Sequence, residues 1–512
     1  MKYLKYLIQS VMLFILLLTF NGCNDKLDEL AENRSFNQGI DYSISGNMKL
    51  PLVGAYAAFY NRGWEEFPFV SVRGDDVNKG GLGDAIPFEN VDDYTYSDIT
   101  TYWMNNSAWI DMYGSIFKME SAKAEIEKYV AGGANTSLAS QYKAEINVME
   151  AFILMNISRT WGKCFIPKSS NPADLYVQSV STNEEVLKYI ADQMTQAATV
   201  LPDMAPKYRT DFSGGVTKYA ALAIEAKAKL ELKDYAGVAA ITSQIISSGK
   251  FSLEPDFFKL WDINGKLNKE NILELQYSDL GSGSGNNYSY LFGFFGPQNW
   301  TPAVSGSGGG WGFWEPSMKY VKFMLDRGEK TRLQCSVLFT NRGITEIKKD
   351  SKYATLPSWI SNKTVYGDQM DDMPREIFLS GKQYFPSNQL TAGRTDYGTN
   401  KNFTCIRYAE ILLMHAEALT NGATSTTMTA QAAVNAVRAR AGLTNLSSVT
   451  LAEVLDEKYA ELAMEWGIRF YDMVRYSKYT ELNYDGRTAF IASKVYLPLP
   501  QAQIDMLPAL GN

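Results

Sequence analysis

Residues 216–249 read VTKYAALAIEAKAKLELKDYAGVAAITSQIISSG. Apolar side chains recur here at the three- and four-residue spacing of an amphipathic helix, and Lys233-Asp234 divides the pattern into two halves. Small alanines occupy the positions at which two packed helices would cross, Tyr235 opens the second half and Gly249 closes it. Two helices joined by a tight turn within about 34 residues are typical of a tetratricopeptide-type unit.

Helical periodicity continues on both sides of this unit. A capping box, Ser181-x-x-Glu184, opens one segment, and Gly162 ends another. Paired antiparallel helices that recur along a chain build a solenoid-like layer, not a parallel sheet. The segments with this periodicity are 48–64, 107–130, 138–161, 181–201, 406–421, 429–441 and 451–477.

Residues 250–405 have a different character. They hold most of the clustered glycine, tryptophan and tyrosine, and few strands can be predicted in them. The segment 72–98 is rich in glycine and aspartate and also predicts a long loop, and long loops often carry function. The sequence therefore predicts a mostly α fold, in which a tetratricopeptide-like scaffold of helical pairs bears a large loop-rich insertion that carries the ligand surface.

Charge and reactive side chains narrow the possible functions. The chain has 49 Lys and Arg against 56 Asp and Glu, a net charge of −7, and no long basic run, so nucleic acid is not an expected partner. The single histidine, His415, excludes a His-rich zinc site, and its apolar helical face predicts a buried, hydrogen-bonded imidazole. The four cysteines lack any C-x-x-C spacing and predict no disulfide framework. We expect no cofactor and no metal ion.

The N-terminus resembles an export signal. Two lysines precede an apolar run over residues 7–20, which is shorter than the ~20 residues of a membrane-spanning helix. The run ends at Gly22-Cys23, which resembles a bacterial lipobox, although residues 20–21 depart from the usual pattern. In a lipobox the cysteine is acylated and becomes the mature first residue, so we predict lipidation, including palmitate, at Cys23. Ordinary secretion is the alternative.

Six motifs lie in order along nearly the whole chain: CNDKLDEL (23–30), AEINVMEAFILMNISRTWGKCFIP (144–167), RYAEILLMHAEAL (407–419), VNAVRARAGL (434–443), EKYAELAMEWGIRFYDMVRY (457–476) and YLPLPQAQIDMLPAL (496–510). Together they resemble a single family, the RagB/SusD-like nutrient-binding outer-membrane lipoproteins of Bacteroidetes. Three positions depart from the family pattern: Lys458 replaces arginine, Trp466 replaces glycine and Gln503 replaces glutamate. We expect these departures to affect packing and not a ligand site.

The resemblance implies a non-catalytic lipoprotein of the outer membrane that faces the cell surface. Such a protein captures oligosaccharides and sits on a SusC-like TonB-dependent transporter, with its helical layer toward the transporter and the ligand on loops away from it. The implied layout is a signal peptide (1–22), an extended tether (23–45), a helical repeat region with a ligand loop near 72–106 (46–249), an aromatic loop-rich insertion (250–405) and a C-terminal helical region that packs on the repeats (406–512).

The stretch GWGFWEP, residues 310–316, is the leading candidate for ligand contact. The axial C–H faces of sugars pack on aromatic planes, while amides and carboxylates bond the hydroxyl groups. Trp311 and Trp314 stand three positions apart, Glu315 is adjacent, and the glycines at 308–310 permit close backbone approach. One of the two rings could instead anchor the insertion to the helices.

The stretch WMNNSAW is a second candidate. Trp103, Asn105 and Asn106 are expected to precede a helix and to be accessible to ligand, whereas Trp109 and Tyr113 are expected in the core. Asparagine side chains also cap helices, so one of the two asparagines could be an N-cap.

The polar stretch VRGDDVNKGG, residues 72–81, offers Arg73, Asp75, Asp76 and Asn78 to ligand hydroxyl groups. An ordinary polar turn is the alternative. The spacing of the acidic residues only vaguely suggests calcium, because it lacks the alternating order of an EF-hand loop.

Further aromatic candidates lie between residues 281 and 300. Tyr288 and Tyr290 alternate as in a strand, which could simply be half-buried, and Trp300 closes the stretch.

The remaining charged residues of the helical motifs predict structural ion pairs between helices. Two other functions stay open: a peptide-binding member of the same family, and a surface glycoside hydrolase with two carboxylates about 5–10 Å apart. No G-x-S-x-G or P-loop motif supports an enzyme, and a purely structural scaffold is a third reading. The residues predicted to pair are Arg438, Arg440, Arg469 and Arg475 with Glu410, Glu417, Glu461 and Asp472.

Overall fold

The structure of the chain is a computed structural model. This structure describes residues 40–62, 65–80, 86–171, 173–174, 179–278, 295–305, 310–374, 377–391, 400–483 and 486–511. Within these ranges, none of the helices combines the length and the apolar composition needed to span a membrane.

The first part of the described chain is a layer of helices. They are α1 (Lys49–Tyr60), α2 (Glu66–Ser71), α3 (Ile86–Asp92), α4 (Trp103–Ala131), α5 (Thr136–Trp161), α6 (Asn183–Ala197), α7 (Lys218–Glu231) and α8 (Tyr235–Ser247). Helices α4 and α5 form the longest pair, and the side chain of Asn135 caps α5 by accepting a hydrogen bond from the backbone N–H of Leu138. Gly162 ends α5 at φ 75°, a left-handed conformation that favours glycine, as the sequence predicts.

The helical pair predicted over residues 216–249 is confirmed. Helices α7 and α8 lie against each other, and Lys233 turns the chain between them at φ 58°. Asp234 caps α8 by accepting a hydrogen bond from the backbone N–H of Gly237 at 2.9 Å. The buried alanines of α7 and Ala239 of α8 allow the two backbones to approach closely.

Short strands join segments that are distant in the sequence. In the described part of the chain they form two-stranded antiparallel pairs: β1 with β6, β2 with β3, β4 with β10, β5 with β8, and β7 with β9. Strand β4 lies near the start of the insertion and β10 at its end, so their pairing brings these two parts of the insertion together. The strands are β1 (Val77–Asn78), β2 (Lys163–Cys164), β3 (Ser181–Thr182), β4 (Asn271–Leu275), β5 (Trp300–Thr301), β6 (Glu315–Pro316), β7 (Val337–Phe339), β8 (Gln369–Met370), β9 (Phe378–Ser380) and β10 (Phe403–Arg407).

The predicted capping box of α6 was wrong by one residue. The box consists of Thr182 and Glu185, with the Thr182 side chain accepting from the Glu185 N–H and the Glu185 carboxylate accepting from the Thr182 N–H. Ser181 is held in β3, paired with Cys164, and therefore cannot serve as the cap.

The insertion also contains helices, and the C-terminal region returns to the helical layer. They are α9 (Met318–Asp326), α10 (Thr331–Ser336) and α11 (Asn341–Lys348), followed by α12 (Tyr408–Thr420), α13 (Ala430–Arg440), α14 (Leu451–Leu462), α15 (Ile468–Arg475) and α16 (Gln501–Met506). Helix α12 packs on α8 and also on α13 and α14, which extends the row of helices.

The periodic stretch 451–477 is broken, although the sequence indicates continuous helix. Between α14 and α15, Met464 and Trp466 have φ values of 63° and 41°, and Gly467 has φ 70°. Non-glycine residues adopt this region only where surrounding contacts impose it. The Trp466 ring supplies such contacts, since it is buried against Phe67 with centroids 5.3 Å apart and donates from Nε1 to the carbonyl of Thr404.

Buried ion pairs connect the insertion with the helical layer. Glu461 of α14 accepts hydrogen bonds from Arg332, Arg407 and Arg440. Burial alone would raise its pKa, but these guanidinium groups hold the pKa of Glu461 well below its ordinary value. The predicted pairing is confirmed for Arg440 with Glu461 and for Arg475 with Glu417 and Asp472, whereas Arg438 pairs with Glu457, Arg469 with Asp75, and Glu410 with Lys227.

Candidate functional site

The two tryptophans of GWGFWEP have different environments. Trp314 is fully buried and packs on Phe67 and Phe295, with ring centroids 5.1 and 5.6 Å apart, so it anchors the insertion in the core. Its proposed ligand contact is not compatible with this burial. Trp311 keeps part of its surface exposed and meets Phe313 edge to face at 5.8 Å. Gly312, between Trp311 and Phe313 in the sequence, has φ 66°, a left-handed conformation that favours glycine.

The structure brings this stretch together with the polar segment 72–81. Strand β1 pairs with β6, so that Asn78 lies opposite Glu315. The Oγ of Ser317 donates to the carbonyl of Asp75 at 2.6 Å and strengthens the junction. Burial raises the pKa of Glu315 to about 7, although its Oε1 accepts a hydrogen bond from the Ile377 N–H at 2.7 Å.

Three of the polar residues predicted to face a ligand are buried instead. Arg73 donates from Nη1 to the carbonyl of Val495 at 2.7 Å. Asp75 is in an ion pair with Arg469, and Asp76 accepts from the Met464 N–H at 2.6 Å. A buried charge needs partners. The partners of these three residues connect the segment 72–81 to distant parts of the fold.

Asp76 and Asn78 each have a buried side-chain oxygen without a hydrogen-bond partner. Burial raises the pKa of Asp76 to about 6, and its Oδ1 lacks a hydrogen-bond partner. Asn78 is partly exposed, with a buried and unpartnered Oδ1, and stays a candidate for ligand contact. The described residues contain no group of three or more histidine, cysteine or acidic side chains suited to a metal ion.

The candidates at the start of α4 also differ from one another. Trp103 is 57% exposed and begins the helix, so all three candidates lie within the helix and not before it. Asn105 is fully buried: its Nδ2 donates to the carbonyls of Ile99 and Pro498, and its Oδ1 accepts from Nε1 of Trp161. It is therefore a structural link, and neither a ligand residue nor an N-cap.

Asn106 is partly exposed, and its Oδ1 accepts a hydrogen bond from Nε2 of Gln503 at 2.8 Å. Tyr102 is the N-cap residue and makes no side-chain capping bond. Trp109 and Tyr113 are buried in the core, as predicted.

Trp300 is a candidate whose ring is partly exposed and supported from below by buried aromatic packing. It lies in β5 opposite Met370 of β8, partly exposed, with its ring edge to face on Tyr384 at 5.8 Å. Tyr366, also partly exposed, packs on the same Tyr384 ring at 6.2 Å. The carboxylate of Asp368 accepts from the Tyr384 hydroxyl and holds that ring in place.

Exposed or partly exposed hydrogen-bonding groups occupy neighbouring positions of the same strand pair. The carboxylate of Asp371 accepts from Oγ1 of Thr301 at 2.7 Å and from Nε2 of Gln369 at 2.9 Å. A carboxylate offers about four acceptor positions, so capacity remains for hydroxyl groups from outside. We call the set Asn299, Trp300, Thr301, Tyr366, Gln369 and Asp371 the Trp300 surface. Sequence reasoning missed all of it except Trp300, although YGDQMDD (366–372) carries an aromatic residue among amides and carboxylates.

Three further candidates cannot be placed. Tyr288, Tyr290 and the lipidation residue Cys23 lie outside the described residues.

A cleft beside Glu120 and Glu150 has a volume of about 20 Å³, which holds roughly one or two waters. This cleft is therefore too small for an oligosaccharide.

Comparison with known proteins shows which family the chain resembles. The SusD family model matches residues 269–496, a range that includes the quoted motifs at 407–419, 434–443 and 457–476. Over these residues the chain is similar to the SusD/RagB family. A SusD-like protein of Bacteroides ovatus is 22% identical over 476 residues, covering 90% of this chain and 81% of that protein. SusD-like protein P2 of Formosa agariphila is 24% identical over 528 residues and covers 97% of both.

Solved structures of SusD-like proteins share the fold. Surface glycan-binding protein A of Bacteroides thetaiotaomicron, solved in complex with laminarihexaose, superposes with a TM-score of 0.71 at 21% identity. The match covers 91% of this chain and 98% of that structure. The predicted mostly α, tetratricopeptide-like scaffold is thereby confirmed.

The single histidine of the chain lies in the core. His415 is buried, with Nδ1 at 2.8 Å from Oγ1 of Thr242 and Nε2 at 3.0 Å from the carbonyl of Met428. Burial lowers its pKa, so it is a satisfied core residue, as predicted.

The three departures from the SusD family pattern all lie in buried contacts. Lys458 binds Glu417 at 2.7 Å and Asp472 at 2.6 Å. Trp466 occupies the break between α14 and α15, and Gln503 bonds Asn106.

Proposed function

We propose that this protein is a lipid-anchored protein of the cell surface that captures oligosaccharides and delivers them to a SusC-like TonB-dependent transporter. The match of residues 269–496 to the SusD family model supports a binding role. The names of two solved structures of the same fold, a surface glycan-binding protein and a laminarin-binding SusD-like protein, favour a glycan as the ligand.

The Trp300 surface is the observation that carries the proposal. The exposed part of the Trp300 ring offers a plane for the C–H face of a sugar. The carboxylate of Asp371 and the amides of Asn299 and Gln369 lie on or beside the same strand pair and supply hydrogen-bonding groups for sugar hydroxyls. The surface is supported by strands β5 and β8 and by buried Tyr384, so it requires little ordering when a ligand binds.

Two other accessible regions are proposed as extensions of the ligand surface. One contains Trp311 and Asn78, which the pairing of β1 with β6 brings into one unit. The other contains Trp103 and Asn106 at the start of α4. A long oligosaccharide could use more than one aromatic plane.

Titration calorimetry with residues 24–512 tests ligand binding. Plant, microbial and host oligosaccharides form one panel and mixed peptides form the second. We expect a glycan to bind with Kd in the roughly micromolar to millimolar range, and Trp300→Ala to weaken it at least about tenfold, or ~1.4 kcal/mol. Trp300→Phe is expected to restore part of the affinity.

Tyr208→Ala is the matched control, because Tyr208 is 60% exposed but lies in the helical layer outside the Trp300 surface. Equal losses in both variants would contradict a site at Trp300. Binding that persists in Trp300→Ala but is lost in Trp311→Ala or Trp103→Ala would move the site to those rings. Binding of peptides alone would make the protein a peptide-binding member of the family.

The anchor and the transporter need separate tests. Replacing Cys23 by serine should abolish incorporation of radiolabelled palmitate and release the protein from the outer-membrane fraction, whereas surface protease should degrade the anchored protein in intact cells. Affinity purification from detergent-solubilised membranes should recover a TonB-dependent transporter at near-equal amounts. Its absence would contradict the delivery role and leave glycan binding intact.

A further inference from the structure

A second cleft opens in the insertion beside strand β7. Its floor is apolar and buried, and its walls come from α10 and from residues 359–364. The cleft has a volume of about 20 Å³, which is room for roughly one or two water-sized groups. The residues of the floor are Val337, Leu338, Phe339 and Met370.

The cleft and the Trp300 ring belong to opposite edges of strand β8. Trp300 pairs with Met370 on one edge. On the other edge, the Met370 N–H donates to the carbonyl of Asn362 at 2.7 Å, and Lys363 is bridged to Gln369. Two strand spacings, about 10 Å, therefore separate the backbone of Trp300 from that of Asn362. A ligand group in the cleft is bound by residues other than Trp300.

Polar groups at the mouth of the cleft are available to a ligand. In the described part of the chain, no hydrogen bond or ion pair occupies the side-chain amide of Gln334, the indole N–H of Trp359 or the ammonium group of Lys363. Gln334 and Trp359 are partly exposed and Lys363 is exposed, so none of the three residues is enclosed by the fold. The mouth thus combines an aromatic ring with several hydrogen-bond donors and with the acceptor oxygen of an amide.

We propose that this cleft binds the acetamido group of an N-acetylhexosamine, so that the captured oligosaccharide is N-acetylated; this inference rests on the proposed glycan-binding function. The acetamido methyl group matches the small volume and the apolar floor. The donors at the mouth supply the acetamido carbonyl, and the amide oxygen of Gln334 accepts from the acetamido N–H. The ring of Trp359 offers a plane for the C–H face of the sugar.

Other sugar substituents match the cleft less well. A hydroxyl group or a uronate carboxylate on the apolar floor would lose its hydration without gaining a hydrogen bond there, which is costly. The methyl group of a 6-deoxy sugar suits the floor but makes no use of the donors at the mouth. The acetamido group carries a methyl end and an amide within one short substituent, in the order in which floor and mouth present their groups.

Two pairs of disaccharides test the proposal, because the members of each pair differ only in acetamido against hydroxyl at carbon 2. They are N,N′-diacetylchitobiose against cellobiose, and N-acetyllactosamine against lactose. In titration calorimetry with residues 24–512, we expect the N-acetylated member of at least one pair to bind at least about tenfold more tightly, or ~1.4 kcal/mol. In saturation-transfer NMR, the acetamido methyl protons should give the strongest ligand signal. Equal affinities within both pairs would overturn the proposal.

Variants of the cleft locate the preference. Trp359→Ala and Gln334→Ala should bring the ratio of the two affinities close to one, whereas Trp300→Ala should weaken both sugars and keep the ratio. The ratio is the readout because a loss of folded protein affects both sugars equally. Gln244→Ala is the control for Gln334→Ala, since Gln244 is an exposed glutamine of α8 in the helical layer, and it should leave the ratio unchanged. A preference that survives in both cleft variants would overturn the proposal.

The same measurements separate this inference from the proposed function. If glycans of the panel bind but neither pair shows a preference for the acetamido group, the cleft is not an N-acetyl site and glycan capture stands. If no glycan binds, the proposed function fails and the acetamido site fails with it.

Discussion

Asp75 and Arg469, which are 394 positions apart in the sequence, form a buried ion pair in which Nε of Arg469 donates to Oδ1 of Asp75 at 2.7 Å. Lys319 of α9 approaches the same carboxylate at 2.8 Å. Burial alone would raise the pKa of Asp75, but Arg469 and Lys319 hold it below its ordinary value. One carboxylate thus connects the segment 72–81, the insertion and helix α15.

Replacing Asp75 by asparagine should lower the free energy of unfolding by about 3–5 kcal/mol, because it leaves buried cations without a counter-charge. Urea unfolding followed by circular dichroism measures the loss. The folded pKa of Asp75 is lowered, so its stabilisation is present above the unfolded pKa and declines as pH falls through the folded value. The difference between wild type and variant should therefore shrink in acid.

Asp505→Asn is the matched control, because Asp505 is exposed and its carboxylate accepts a hydrogen bond from Gln501 on its own helix. Its effect should stay within about 0.5 kcal/mol. A loss in Asp75→Asn that equals the control, or that grows in acid, would contradict the role of this ion pair.

Replacing Glu315 by glutamine should stabilise the protein at pH 8. The folded pKa of Glu315 is raised to about 7, so the stability associated with its protonated form is present below the unfolded pKa and is lost as pH rises through about 7. Glutamine keeps an oxygen for the Ile377 N–H and adds a donor for the unpartnered Oδ1 of Asn78. We expect a gain of about 1–3 kcal/mol at pH 8 and little gain at pH 4, from urea unfolding at both pH values. A gain independent of pH would contradict the titration of Glu315.

Alanine substitutions at Trp314 and Trp300 should have different effects: the first should mainly lower stability and the second should mainly weaken glycan binding. Trp314→Ala removes a fully buried ring and should cost about 3–5 kcal/mol, whereas Trp300→Ala removes a partly exposed ring and should cost less. Differential scanning calorimetry gives both values, and calorimetric titration of the glycan gives the binding loss in Trp300→Ala. A larger stability loss at Trp300 would reverse the assignment of core and surface.

Substitution of glycine by alanine should stabilise the protein at two positions and destabilise it at a third. Gly54 in α1 and Gly114 in α4 have open space where a Cβ would stand, so alanine should add about 0.5–1 kcal/mol at each position. Gly467 has φ 70°, and a Cβ would lie 2.4 Å from the carbonyl oxygen of Val70, so Gly467→Ala should be strongly destabilising. Thermal unfolding of the three single variants is the measurement, and a stabilised Gly467→Ala would show that the break between α14 and α15 is not required.

Local patterns account for the parts of the fold that were predicted correctly. The turn between α7 and α8, the stop at Gly162 and the buried His415 follow from periodicity and from the conformational preference of single residues. The break at Met464–Gly467 could not be predicted, because the aromatic packing of Trp466 on distant Phe67 overrides the helical periodicity of the stretch.

Residue type and spacing were enough to predict the helical scaffold and the resemblance to the SusD/RagB family, since both depend on patterns within short stretches of chain. Only the tertiary structure decided which polar and aromatic residues are accessible. Asn105, Asp75 and Trp314 have the chemistry of a ligand site but are buried by contacts across roughly 50 to 400 positions of sequence. Trp300, by contrast, gained its neighbours when β5 paired with β8. Burial is a property of the packed chain, and so a sequence of suitable side chains does not by itself specify a binding surface.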